Sequence, residues 1–194
     1  MNAQESRHYI ATEAAKLLAQ QQILDYGWAR NKAADAVGIH GERFLPDFAQ
    51  IEAALTEYLE LFHPQHNAAE ELQRKSLELM NLLLPFQPHL SGALSRGIAA
   101  RHAAITLYLY ADSPKEVVFS LIDLNASYES LDVRLTFQRG KEERRPAFRI
   151  NFDGSEFVLV VLRLQERRHP PIDPVTGNTE RGLDVQALQM LIES

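Results

Sequence analysis

The sequence predicts an α+β protein, in which an N-terminal helical bundle precedes a small mixed β-sheet domain that carries helices of its own. Three observations predict it. Through the first third, apolar residues recur at three- and four-residue spacing, the period of a helix face. From about Ile105 onward, short β-rich runs take over, several with period two. Asp153-Gly154 stands between two apolar runs, and both positions tolerate the positive φ of a tight hairpin turn.

Taken in order, Ile10, Ala14, Leu17, Leu18 and Gln21 mark the first helical stripe, which Leu24-Asp25-Tyr26-Gly27 interrupts. A second helix is expected from Trp28 to Val37, closed by Gly38, with Trp28 packed against the bundle. Leu45-Pro46-Asp47 supplies a turn and a capping aspartate. A third helix, Phe48 to Phe62, aligns Ile51, Leu55, Tyr58, Leu59 and Phe62 on one face. His63-Pro64-Gln65-His66-Asn67 breaks the pattern and predicts a boundary between residues 1–62 and a domain over 68–194.

Leu72, Leu79 and Leu83, with Met80, Leu82 and Leu84, predict a long amphipathic helix that ends at Pro85. Ile105 to Tyr110 reads as a strand. Ser113-Pro114 is an N-cap followed by proline at the first helical position, opening a helix from Lys115 to Leu124. Tyr128 to Phe137 has strand periodicity, and Ala147 to Phe152 with Phe157 to Leu164 predicts the hairpin. His169 to Pro174 is expected to be irregular, and Leu183 to Ile192 to close the chain as a helix. This order suits a sheet with helices on one side.

Composition narrows the function. The 194 residues contain no cysteine, which excludes disulfides, thiol nucleophiles and thiolate metal sites and suits a cytoplasmic protein. No run approaches the roughly 18 apolar residues of a membrane span, and the polar start has no signal-peptide core, so no membrane association is expected. A net charge of −6 argues against broad nucleic-acid binding. Between Arg134 and Arg168, however, nine cations face five acids, enough for a local basic face unless they are solvated strand-edge charges.

The segment richest in chemistry is Gly92-Ala93-Leu94-Ser95-Arg96-Gly97, followed after Ile98 to His102 by Ala103-Ala104-Ile105-Thr106-Leu107. Its glycines, arginine and spacing resemble the DNA polymerase β-like nucleotidyltransferases. There a strand ends in Gly-Ser-x-Ala-Arg-Gly and a second strand opens with Ser-Asp-x-Asp-Leu. The resemblance spans roughly residues 68 to 164. It implies a glycine turn whose N–H groups approach phosphates, and an aspartate pair that holds two Mg²⁺ with a third acid from a later strand. Here Ala93 replaces the serine, Ala104 and Thr106 stand for the aspartates, and Val158 for the third acid. A methyl group cannot bind Mg²⁺, and a neutral hydroxyl is a poor substitute for a carboxylate.

The expectation is therefore a nucleotidyltransferase-like protein with a degenerate metal site, with no catalytic residue, metal or cofactor assigned. Any surviving ligand function falls to a phosphate turn of Gly92, Ala93, Ser95, Arg96 and Gly97, assisted by Arg101 and His102. Arg96 is the principal charged contact, unless it only pairs with an acid such as Asp112. Two alternatives stand beside this: an adaptor that binds a protein partner through the N-terminal helices, and an active transferase using other acids, such as Asp112, Asp153 or Glu156.

Weaker signals are read as structural. His63 and His66 lack a third metal ligand, His102 reads as an exposed loop residue, and Ser95 lacks a nucleophile elbow. Ala29 to Ile39 resembles a recognition helix, but it offers only Arg30 and Lys32 to DNA, opposed by Asp35.

Overall fold

The computed structural model describes residues 2–62, 68–100 and 102–193. Its chain divides into two compact units. The first comprises Met1–Asn67 with the stretches Ala100–Ala103 and Pro174–Thr176, and the second comprises Ala68–Ala99, Ala104–Asp173 and Gly177–Ser194.

In the first unit, helix α1 (Ala3–Gln21) opens on a capping box. The Asn2 side chain accepts from the Glu5 N–H, and the Glu5 carboxylate accepts from the Asn2 N–H. Ile10, Ala14 and Leu18 are buried along one stripe, and the small Ala11, Ala15 and Ala19 bring the neighbouring helices close. Helix α2 (Tyr26–Val37) begins two residues earlier than its pattern predicts, because Asp25 accepts from the Trp28 N–H and caps it. Tyr26 is thereby drawn into the interior, where its hydroxyl donates to Glu52 Oε2 at 2.8 Å. Trp28, expected inside, is 39% exposed. Helix α3 (Phe48–Phe62) has the predicted bounds, and Asp47 accepts from the Gln50 N–H at its start. Its stripe stays buried at Ile51 and Leu55 but not to the end, for Phe62 is 63% exposed beside the Tyr58 ring. Helix α1 packs on both α2 and α3. The His63 to Asn67 boundary lies outside the described residues.

The second unit begins with α4 (Ala68–Leu82), which stops short of the expected end at Pro85. Leu84 to Phe86 form a 3-10 turn instead, with Pro85 near its start, and Leu82 and Leu84 are about half exposed. The chain continues through β1 (His89–Ser91), β2 (Ile105–Tyr110), α5 (Pro114–Asp123), β3 (Tyr128–Phe137), β4 (Lys141–Phe152), β5 (Ser155–Leu162) and α6 (Val185–Glu193). Ser113 caps α5 as its sequence predicts, and Asp184 accepts from the Ala187 N–H at the start of α6.

The five strands form one mixed sheet in the order β1-β2-β5-β4-β3, so the described chain is α+β. Strand β2 runs parallel to β5, and the remaining neighbours are antiparallel. Alternation divides the sheet faces. Leu90, Leu107, Leu109, Phe157, Leu159 and Ile150 face a core shared with Met80 and Leu83, Val117 and Leu121, and Leu188 from the helical side. Each fully buried leucine contributes about 1.5–3 kcal/mol of hydrophobic stabilisation. Tyr108, Tyr110, Ala147, Val160 and Leu162 form a second cluster, and Val158 packs against it.

Strand β4 begins six residues before the predicted Ala147. Lys141 to Arg145 carry no apolar alternation, but they pair in register with Phe137 to Val133 of β3. At the hairpin, Asp153 and Gly154 have φ of 48° and 76°, the conformation their residue types predict.

Candidate functional site

Strand β1 delivers the chain into the Gly92 to Gly97 turn. Gly92 has φ 77° and ψ −157°, a region essentially confined to glycine, and Gly97 is left-handed at φ 81°. Between them, Ala93–Arg96 form one 3-10 turn. The Ser95 hydroxyl donates to Gly92 O at 2.7 Å and lies 3.0 Å from Glu180 Oε1, while the Gly92 N–H donates to that same Glu180 oxygen at 3.2 Å. Arg96 Nη1 stands 3.4 Å from Asp173 Oδ2 and 3.5 Å from Glu180 Oε2.

Donors of three kinds, a backbone amide, a hydroxyl and a guanidinium, thus converge on carboxylates supplied from a distant part of the chain. Burial, followed by the hydrogen bond and charge of Asp173, raises the Glu180 carboxyl to about 7, against smaller opposing effects of Ser95 and Arg96. Below the turn, burial pushes the Tyr108 hydroxyl up to about 12, and a hydrogen bond with Ser91 opposes the shift.

Glu180 is delivered by a constrained segment. Leu183 and Leu90 exchange two backbone hydrogen bonds at 2.8 Å, and the Glu180 N–H donates to Pro171 O at 2.9 Å. Gly182, at φ 77°, passes so close that a Cβ there would stand 2.3 Å from Leu90 O. The irregular stretch after His169 was legible as irregular, but Asp173 and Glu180 were not legible as neighbours of Arg96. They lie 77 and 85 residues from the turn residues they meet and belong to no periodic element.

The sheet register sets the other predicted positions. Thr106 is the direct neighbour of Ser91 on β1 and of Val158 on β5, so the three share one face in a row across the sheet. Arg149 lies beside Val158 on β4 and extends that row. Ala104 is exposed and precedes β2, whose pairing with β5 starts at Ile105 opposite Phe157. His102 groups with the first unit, where its N–H donates to Gln22 O at 2.9 Å, and Arg101 lies outside the described residues. His63 and His66 lie outside them as well.

The acids proposed for an active enzyme face cations or solvent. Asp153 stands 3.4 Å from Lys75, and Glu156 stands 3.6 Å from Arg149, each acid being more than half exposed. Asp112 is also exposed. Among the described residues, no group of three or more His, Asp or Glu side chains is arranged to hold a metal ion.

The cation-rich stretch from Arg134 to Arg168 is interrupted by ion pairs. Arg145 is buried between Glu166 and Glu143, Lys141 meets Glu143 at 2.8 Å, and Arg149 meets Glu129 at 2.8 Å. Hydrogen bonds from Lys141 and Arg145 hold the Glu143 carboxyl at about 2.

Comparison with models of known protein families and with curated proteins finds no match to this chain. Among the described residues, no helix is long and apolar enough to cross a membrane.

Proposed function

We propose that this is a nucleotidyltransferase-like protein with a degenerate metal site, one that binds a nucleotide or another phosphate-bearing ligand in a cytoplasmic setting and does not transfer nucleotides. The observation that carries the reading is the row Ser91, Thr106 and Val158. Two positions that would supply acids, Thr106 and Val158, are cross-strand neighbours beside the strand that leads into the Gly92 turn. A hydroxyl and an isopropyl group there offer Mg²⁺ no hard anionic ligand. The anion preference of the turn is supported separately by its donors, which already engage a carboxylate.

Purified protein supplied with labelled triphosphates and Mg²⁺ or Mn²⁺ is expected to label neither itself, nor added proteins, nor RNA. Incorporation that disappears on Asp153→Ala or Glu156→Ala would overturn the reading and restore an active transferase. A screen of nucleotides by thermal shift separates binding from catalysis, because a ligand that binds the folded state raises its melting temperature. Stabilisation without Mg²⁺ is expected.

A second reading, a protein-binding adaptor, is favoured by one observation in the first unit. Leu61 and Phe62 are 67% and 63% exposed at the end of α3. No stabilisation by any nucleotide, together with loss of partner capture on Phe62→Ser, would put the adaptor first.

A further inference from the structure

The Gly92 turn is already occupied by an anion of the chain itself. Glu180 Oε1 accepts from the Gly92 N–H and lies 3.0 Å from the Ser95 hydroxyl, and Glu180 Oε2 faces the Arg96 guanidinium at 3.5 Å. A ligand phosphate would use these same donors, since its oxygens accept from backbone amides, hydroxyls and guanidinium groups in the same way. We propose that the Glu180 carboxylate is a built-in occupant of the Gly92 to Gly97 turn, an autoinhibitory contact that a phosphate-bearing ligand must displace. The proposal rests on the phosphate-binding reading above and adds to it the residue that regulates access.

The backbone around Glu180 holds the side chain at the turn. On one side its own N–H is fixed to Pro171 O, and on the other the Leu183–Leu90 pair ties the segment along the edge of β1. The close pass of Gly182 over Leu90 leaves no room for a side chain between the two backbones. Displacement is therefore a rotation of the Glu180 side chain, with the backbone remaining in place.

The charges facing Glu180 favour its release under one condition. Asp173 from the preceding segment, Arg96 and Ser95 from the turn, and Tyr108 from β2 surround it. Both carboxylates face the Arg96 guanidinium, and an incoming anion meets like charge from both. Protonation of Glu180 removes one negative charge and weakens its hold on the donors. Ligand entry is thus easier below neutrality than above it.

The test uses the full chain without added metal, and pyrophosphate as the probe at pH 8. Titration calorimetry is performed on the wild type, Glu180→Ala, Glu180→Gln and Arg96→Glu, each first checked for a cooperative melt. The expected result is binding by Glu180→Ala about tenfold or more tighter than by the wild type, equivalent to about 1.4 kcal/mol, with loss of binding in Arg96→Glu. If Glu180→Ala does not fold, Glu180→Gln carries the comparison, and tighter binding than wild type is again expected. Equal affinities in the wild type and the Glu180 variants, abolished by Arg96→Glu, would overturn the occupant while leaving the phosphate turn intact. No binding by any folded variant would remove both.

A second arm uses sulfate, which keeps its charge from pH 6 to pH 8. Its stabilisation of the wild type is expected to be greater at pH 6 than at pH 8, and that difference to shrink in Glu180→Gln. An unchanged difference in the variant contradicts the proposal.

Discussion

Burial and the neighbouring Asp173 carboxylate raise the Glu180 carboxyl, while Ser95 and Arg96 oppose the rise. Glu180 titrates at about 7 in the folded chain, well above the ordinary 4.5 of a glutamate. A carboxyl whose folded value is raised contributes its full stability below the unfolded value and loses it as pH rises through the folded value. The wild type should therefore lose stability relative to Glu180→Gln between pH 5 and pH 8. Melting temperatures of the two proteins at both pH values check this, and a difference that stays constant would show that Glu180 does not titrate in that window. At Gly92, the combination of φ 77° and ψ −157° disfavours any side chain, so Gly92→Ala should cost about 1–3 kcal/mol in a denaturant melt. Gly92, Ser95, Arg96 and Gly97 were legible as a candidate turn only through a family resemblance, since a Gly-x-x-x-Arg-Gly string by itself is a weak signal. Their carboxylate partners were not, because contacts across 77 and 85 residues leave no local pattern.

Among the elements, those with a strong local rule matched their sequence. Helix α5 begins at the Ser113-Pro114 signal, and the β4–β5 turn falls on Asp153-Gly154. Where tertiary pairing outweighs local preference, the sequence misleads. The charged first half of β4 is a strand because β3 supplies its hydrogen-bond partners, and Arg145 is accommodated by Glu143 and Glu166. Likewise α2 starts at Tyr26 because a side-chain cap at Asp25 outweighs the apolar spacing that pointed to Trp28. The stretch that carries Glu180 has no helix or strand of its own; among the described residues Leu183 pairs with Leu90 of β1, and Ile172 pairs with Thr136 of β3 and with Thr179. Gly182→Ala is expected to force the Leu90–Leu183 pair apart, since both the positive φ and the 2.3 Å approach to Leu90 O oppose a methyl group. A loss of about 2 kcal/mol or more is expected, with faster amide exchange at Leu90 and Leu183 than at Leu107. Uniform protection in the variant would show that this edge contact is not what anchors the segment.

At the scale of the whole molecule, the α+β class was legible because helical and strand periods occupy different parts of the chain. The candidate site rested on a resemblance in spacing, which sets Ala104, Thr106 and Val158 where that family's acids would stand. The proposed boundary at residues 63–67 predicts that limited proteolysis cuts there before it cuts inside α4, and first cleavage between Leu72 and Leu82 would contradict it. The central claim is that the turn binds phosphate without metal, through Arg96. Its most direct test is titration of the wild type and Arg96→Glu with ATP, GTP and pyrophosphate in the absence of Mg²⁺, repeated at higher salt. The account predicts measurable binding by the wild type that weakens as salt is added and is lost in Arg96→Glu; equal affinities in the two proteins, or no affinity in either, would contradict it.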